Sequence, residues 1–181
     1  MKGIVFTEFI EMVGDVFGPD TADEIIDGCD LPNGGAYTAV GTYDSRELLA
    51  LVTALGEATS TSVPDLVQAY GKHLLTRFVV SYPDFFEGVE STFDFLESVE
   101  THIHVEARKL YPDAEPPRFT CERDGDHTLS MVYESTRPFA DLAEGLMLGC
   151  FEHFDEDVTI EREDLRVDEG SRVRFVLRKA A

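Results

Sequence analysis

The chain has no tryptophan, only three cysteines, and 15 basic residues against 36 acidic ones in 181 positions. Its formal net charge of −21 leaves it short of the lysine and arginine that neutralise nucleic-acid phosphates and anionic headgroups. Neither nucleic acid nor a membrane surface is therefore an expected partner. Cys29, Cys121 and Cys150 are odd in number and far apart, with no CxxC pair. That pattern argues against a disulfide framework or a thiolate zinc site, and fits a reducing compartment. Long apolar runs are also missing. The opening MKGIVFTEFIEMVGDVFG is broken by Glu8, Glu11 and Asp15, so it reads neither as a secretory leader nor as a membrane span, and a cytoplasmic location is expected. No nucleophile–base pair, glycine-rich phosphate loop or two-metal carboxylate cluster is recognisable, so enzymatic activity is not expected. The acidic stretch DEDVTIERED at 155–164 lacks the EF-hand spacing and reads as a solvated strand face.

What is present is enough apolar content, 43%, for one domain with a sizeable core. Residues 2–17 carry Ile4, Val5, Phe9, Met12, Val13 and Val16, the stripe of an amphipathic helix ending at Gly18-Pro19. A short helix from Asp20 or Thr21 and a turn at 31–37 follow. Further helices are expected from Ser45 to about 56–59 and after Val63-Pro64, where proline suits a first helical position. The spacing of Phe86, Val89, Phe93, Leu96, Ile103, Ala107 and Leu110 predicts one long helix over 84–111, stopped by PDAEPP. The period then changes. Strands at 119–123 and 128–137 flank the turn 124–126, a helix covers 139–153, and 158–163 and 171–177 form a second hairpin. The expected architecture is α+β: a helical N-terminal region, then hairpin–helix–hairpin making a four-stranded antiparallel sheet.

Two features carry functional information. Tyr133, Ser135 and Arg137 stand at alternate positions, which on a strand puts two hydroxyls and a guanidinium on one face. Such a row suits an anion with several oxygens. It also has an ordinary reading as the polar side of a strand, although Leu129 and Met131 on the same face and Pro138 with an apolar helix behind it place the row beside a potential pocket. The second feature is His104, 29 residues upstream of Tyr133. Residues two apart on a helix lie about 200° apart around its axis, so His102 and His104 cannot grip one metal together. Taken alone, His104 reads either as a partly buried, hydrogen-bonded histidine or as a single metal ligand. A ligand with carboxylates at one edge and a metal at its centre would use both features, and heme is such a ligand.

MKGIVFTEFI at the start, HVEARKLYPDAEPPRF from His104 to Phe119, YESTR at 133–137 and AEGLMLG at 143–149 together resemble the heme nitric oxide/oxygen binding family, H-NOX, over essentially the whole chain. The resemblance implies one domain, 1–181, with a distal helical subdomain at 1–62 and a proximal, heme-clamping one at 63–181, and heme b buried between. It makes His104 the ligand of heme iron, since the family places that ligand seven residues before the position of Tyr111. Tyr133, Ser135 and Arg137 become the holders of the heme propionates, and Pro117 the residue that packs on the macrocycle and distorts it. Val5, Phe9, Leu74, Phe78, Leu142 and Leu146 match the distal wall, whose composition is equally that of a core face. Some relatives carry a Cys/His zinc cluster near the last hairpin, where this chain has ERED and VDEGSR.

The resemblance also bears on the gas. Family members that hold oxygen carry a distal tyrosine nine residues after the clamp tyrosine; here that position is Leu142. Phe9 and Leu74, at the other positions where relatives place distal polar groups, offer no donor either. Bound oxygen benefits from a hydrogen-bond donor whereas nitric oxide does not, so the expected ligand is nitric oxide, with carbon monoxide a weaker surrogate and oxygen excluded. Signalling through release of His104 to a separate histidine kinase or cyclic-di-nucleotide enzyme is the implied role. A gas-scavenging or storage heme protein without a partner is the alternative.

Overall fold

The computed structural model describes residues 1–180; Ala181, the last residue of the expected domain, lies outside them. Helix α1, Ile4–Phe17, buries Phe6, Phe9, Met12 and Val13, as its periodicity requires. It stops at Gly18, whose φ of 96° is one that side-chain-bearing residues avoid, and Pro19 opens α2, Pro19–Asp27. Helix α3, Ser45–Thr59, starts from a capping box in which the Asp44 side chain and Glu47 satisfy each other's backbone amides. Helix α4, Val63–Ser81, has Ser62 as its cap and a proline in its first turn. Phe6, Phe9, Leu51, Leu55 and Tyr70 form the centre of an apolar cluster shared by these helices.

The sheet contains β1 (Arg118–Asp124), β2 (Thr128–Ser135), β3 (Val158–Leu165) and β4 (Ser171–Lys179), all antiparallel in the order β1-β2-β4-β3. Leu129, Met131 and Tyr133 alternate onto its buried face beside Phe175 and Leu177, and build a second cluster with helix α7, Ala140–His153. The opposite face carries cross-strand ion pairs, Arg172 with Glu134, Arg174 with Glu163 and Arg178 with Glu161. Helices and sheet together are the α+β architecture expected from the period change.

The long helix expected over 84–111 is not continuous. Pro83–Phe85 is a 3-10 turn, and a loop follows in which Gly88 has φ 75°. Helix α5, Thr92–Ser98, starts only at the Ser91 cap, whose hydroxyl accepts from the Asp94 amide. A π-helical turn, Val99–Ile103, separates it from α6, His104–Leu110. Phe86 and Val89 imitate the helical period because Phe86 stacks on Phe95 from the loop, with ring centroids 4.5 Å apart.

The two clusters are joined where α4 crosses α7. A Cβ at Gly145 would run into the Gln68 carbonyl oxygen and stand 2.9 Å from the Gly71 Cα, and one at Gly71 would stand 2.5 Å from the Leu142 carbonyl. The backbones touch because neither residue has a side chain. At the far end of the sheet, Glu156 accepts from Lys179 Nζ (2.7 Å) and from the Thr92 amide (3.1 Å). Burial pushes its carboxyl up, but Lys179 and Thr92 more than offset this and hold it below 4.5.

Gly145→Ala should lower stability by about 1–3 kcal/mol through overpacking, while Gly14→Ala on α1, where a Cβ meets nothing within 4 Å, should be neutral or stabilising by up to ~1 kcal/mol; thermal melts of the two variants test this. A carboxyl depressed on folding contributes stability that is present above its ordinary value and lost as pH falls. Glu156→Gln should therefore lower stability at pH 7 and flatten its decline below about 4.5, read from denaturant titrations across the acid range.

Candidate functional site

His104 is the first residue of α6, and its amide donates to the Val99 carbonyl in the i→i−5 pattern of the π turn. Single π turns within helices recur at functional sites. The imidazole side chain is only 13% exposed. Its Nδ1 lies 3.0 Å from the Glu100 carboxylate. Burial lowers its pKa, with Arg108 adding to that effect and Glu100 opposing it, so the ring is neutral near pH 7. Nδ1 is thus committed as a donor and Nε2 carries the lone pair, the state a metal ligand needs. His102 points elsewhere, meeting Phe85 edge-on at 5.8 Å.

Tyr133 and Ser135 lie on β2, but the strand ends at Ser135 and Arg137 falls in the bend after it. The row of three on one strand face is therefore corrected to two strand residues and an arginine brought back by the turn. The Tyr133 hydroxyl donates to the Arg137 carbonyl at 3.3 Å, and the Ser135 Oγ accepts from the Arg137 amide at 3.1 Å. The Arg137 guanidinium donates to the Glu115 carbonyl (2.6 Å) and carboxylate (2.9 Å), just before Pro116-Pro117. The three residues do converge, through backbone closure rather than strand alternation.

The residues matching a distal wall come from three helices: Val5 and Phe9 on α1, Leu74 and Phe78 on α4, Leu142 and Leu146 on α7. Phe9, Leu74 and Leu142 are buried and Val5, Phe78 and Leu146 partly so. Tyr70 was not anticipated there. Its ring meets Phe9 edge-on at 5.2 Å, and its hydroxyl donates to the Val5 carbonyl at 2.5 Å. A helical stripe shows that Tyr70 is inward-facing but not which atom its hydroxyl reaches. Phe119 was missed as well. It is 5.8 Å from the His104 ring and 5.7 Å from that of Tyr133, so it spans the gap between the two. Its alternation in PPRFTC carried only a strand signal.

This donor set suits heme. One neutral imidazole has a free Nε2, a guanidinium and two hydroxyls gather at a turn for carboxylates, and partly exposed apolar side chains from three helices supply a wall for a flat ring. No cluster of three or more His, Cys, Asp or Glu side chains capable of holding a bare metal ion occurs among the described residues. No helix among them is long and apolar enough to cross a membrane.

The Haem-NO-binding family model matches residues 2–162. The fold matches that of unliganded Fe(II) H-NOX from K. algicida (TM-score 0.92, 40% identity, 100% of this chain and 97% of that one). It also matches Shewanella woodyi H-NOX, bound to IWP-051 in the Fe(II)CO state (0.85, 43%, 99% and 95%). S. oneidensis H-NOX in the Fe(II)NO state shares the fold at 22% identity (TM-score 0.91, 100% of both chains). No curated protein matches. The class is that of gas-sensing heme domains. Within that class the chain belongs to the Haem-NO-binding, or H-NOX, family.

Proposed function

We propose that this chain is a cytoplasmic nitric oxide sensor that holds heme b through His104 and signals to a separate protein. Heme, when bound, would supply an iron able to bind both a histidine and a diatomic gas. His104 offers Nε2 to that iron. Tyr133, Ser135 and Arg137 hold the propionates, each charge-assisted hydrogen bond contributing about 1.5–3 kcal/mol, and Arg137 exchanges Glu115 for the ligand's carboxylate. Pro117, two residues after the Glu115 that Arg137 grips, would pack on the macrocycle. Residues 1–62 form the distal subdomain and 63–181 the proximal one.

The observation that carries the gas preference is the state of the distal wall. Val5, Phe9, Leu74, Phe78, Leu142 and Leu146 have no donor, and the neighbouring Tyr70 hydroxyl is committed to the Val5 carbonyl. Lacking a donor worth about 1.5–3 kcal/mol disfavours oxygen by roughly ten- to more than a hundred-fold and leaves nitric oxide unaffected. Carbon monoxide is the weaker surrogate, in keeping with the Fe(II)CO state of Shewanella woodyi H-NOX.

Release of His104 conveys the signal. Helix α6 leads into Tyr111 and Asp113, which the N-terminal region grips. Thr42 donates to Asp113 at 2.6 Å, Lys2 Nζ lies 3.5 Å from the same carboxylate, and it sits 4.5 Å above the Tyr111 ring. A shift of α6 therefore reaches residues 1–43 as well as the sheet, giving ligand and partner a shared two-state element. A histidine kinase or cyclic-di-nucleotide enzyme is the partner this arrangement serves.

Purified ferrous protein should show a Soret band that shifts with nitric oxide and stays unchanged in air. A stable oxy spectrum would overturn the selectivity, and no Soret band after heme supplementation would remove the reading. His104→Gly with imidazole supplied should retain heme but lose partner regulation; intact regulation would sink signalling through release of His104, whereas a wild-type protein that leaves partner activity unchanged on adding nitric oxide would favour a scavenger.

A further inference from the structure

Glu100 sits in the π turn four residues before His104, at the meeting point of three elements. One carboxylate oxygen is 3.0 Å from His104 Nδ1 and accepts from the Phe119 amide of β1 at 3.3 Å. The other accepts from Arg108 of α6 at 3.1 Å. The group is therefore held from its own turn, from the strand beside it and from the helix His104 begins. Arg108 is the cation that competes with the imidazole for its charge, and a surface cleft of about 390 Å³ lined by Glu100, Arg108, Arg118, Phe119, Thr120 and Glu134 opens beside it.

A carboxylate on the far nitrogen of a metal-bound imidazole fixes the tautomer, aims the ring and makes the coordinating nitrogen a stronger donor. We propose that Glu100 is the positioning residue of His104, and that Glu100 and Arg108 together set how strongly His104 holds the iron and how readily it lets go. The inference rests on His104 being the heme ligand. The carboxylate pulls on the Nδ1 proton and strengthens Nε2 as a donor. Arg108 draws part of the carboxylate's charge away and weakens the same bond. The two residues thus act in opposite directions on one atom, which a role confined to folding would not produce.

The test is the iron–histidine stretching band of full-length, heme-reconstituted ferrous protein by resonance Raman, with heme transfer to an acceptor globin as the second readout. Glu100→Gln, similar in size and still able to accept from Nδ1, should move the band to lower frequency and speed heme loss by about 10–100-fold. Arg108→Ala should move the band to higher frequency. Glu100→Asp should recover part of the wild-type position. Bands unchanged in both Glu100→Gln and Arg108→Ala, or shifted in the same direction, would overturn the proposal. A wild-type protein that takes up no heme, or a His104→Ala variant with the same band, would instead overturn the heme-ligand reading, and the inference with it. If Glu100→Gln retains no heme while its apo form keeps the wild-type far-ultraviolet spectrum, that too supports the assignment.

Discussion

The backbone contact between α4 and α7 is the constraint on which the remainder depends. Gly71 and Gly145 let the two helices approach until main-chain atoms touch, and that crossing unites the N-terminal helical cluster with the cluster under the sheet. It also brings Leu74 and Phe78 near Leu142 and Leu146, so one close approach builds the core junction and much of the wall proposed to face a gas. Enlarging either glycine would separate the helices at the point where both clusters are held together.

Elsewhere, an acidic protein has surrounded one imidazole with a small ionic assembly. Glu100 serves His104, Arg108 and the Phe119 amide at once, and Arg137 is closed onto Glu115. In a chain with 36 acidic residues, Arg108 and Arg137 are each already paired with a carboxylate. The arginine that would hold an incoming carboxylate is therefore one that must exchange an internal one. The π turn interrupts the α-helical hydrogen-bond pattern immediately before His104, the proposed iron ligand.

Local periodicity made most of the elements readable. The stripe Phe6, Phe9, Met12, Val13 is a helix because burial on one side demands that spacing, and the alternation in TLSMVYES is a strand for the same reason at period two. The capping residues Asp44, Ser62 and Ser91 act within three positions of themselves, so their effects are local. The continuous helix over 84–111 failed because Phe86 reaches its partner Phe95 from a loop, and an apolar residue's position in the sequence does not say which backbone carries it to the core. Extending the strand row to Arg137 failed for a related reason: alternation holds only while the ladder does, and β2 ends at Ser135.

The sequence by itself determined the α+β order of elements, the family, and the residue types available to a heme: one helical histidine, a Tyr-x-Ser-x-Arg segment and an apolar distal set without a donor. These are properties of spacing and chemistry along the chain. Only the tertiary structure decided that Glu100 is the partner of His104 Nδ1, that Phe119 lies between His104 and Tyr133, that Arg137 turns back onto Glu115, and that the Tyr70 hydroxyl is taken by the Val5 carbonyl. Each of these joins atoms from segments whose distance in space is set by how helices and sheet pack, and no periodicity within a segment encodes where another segment will come to rest.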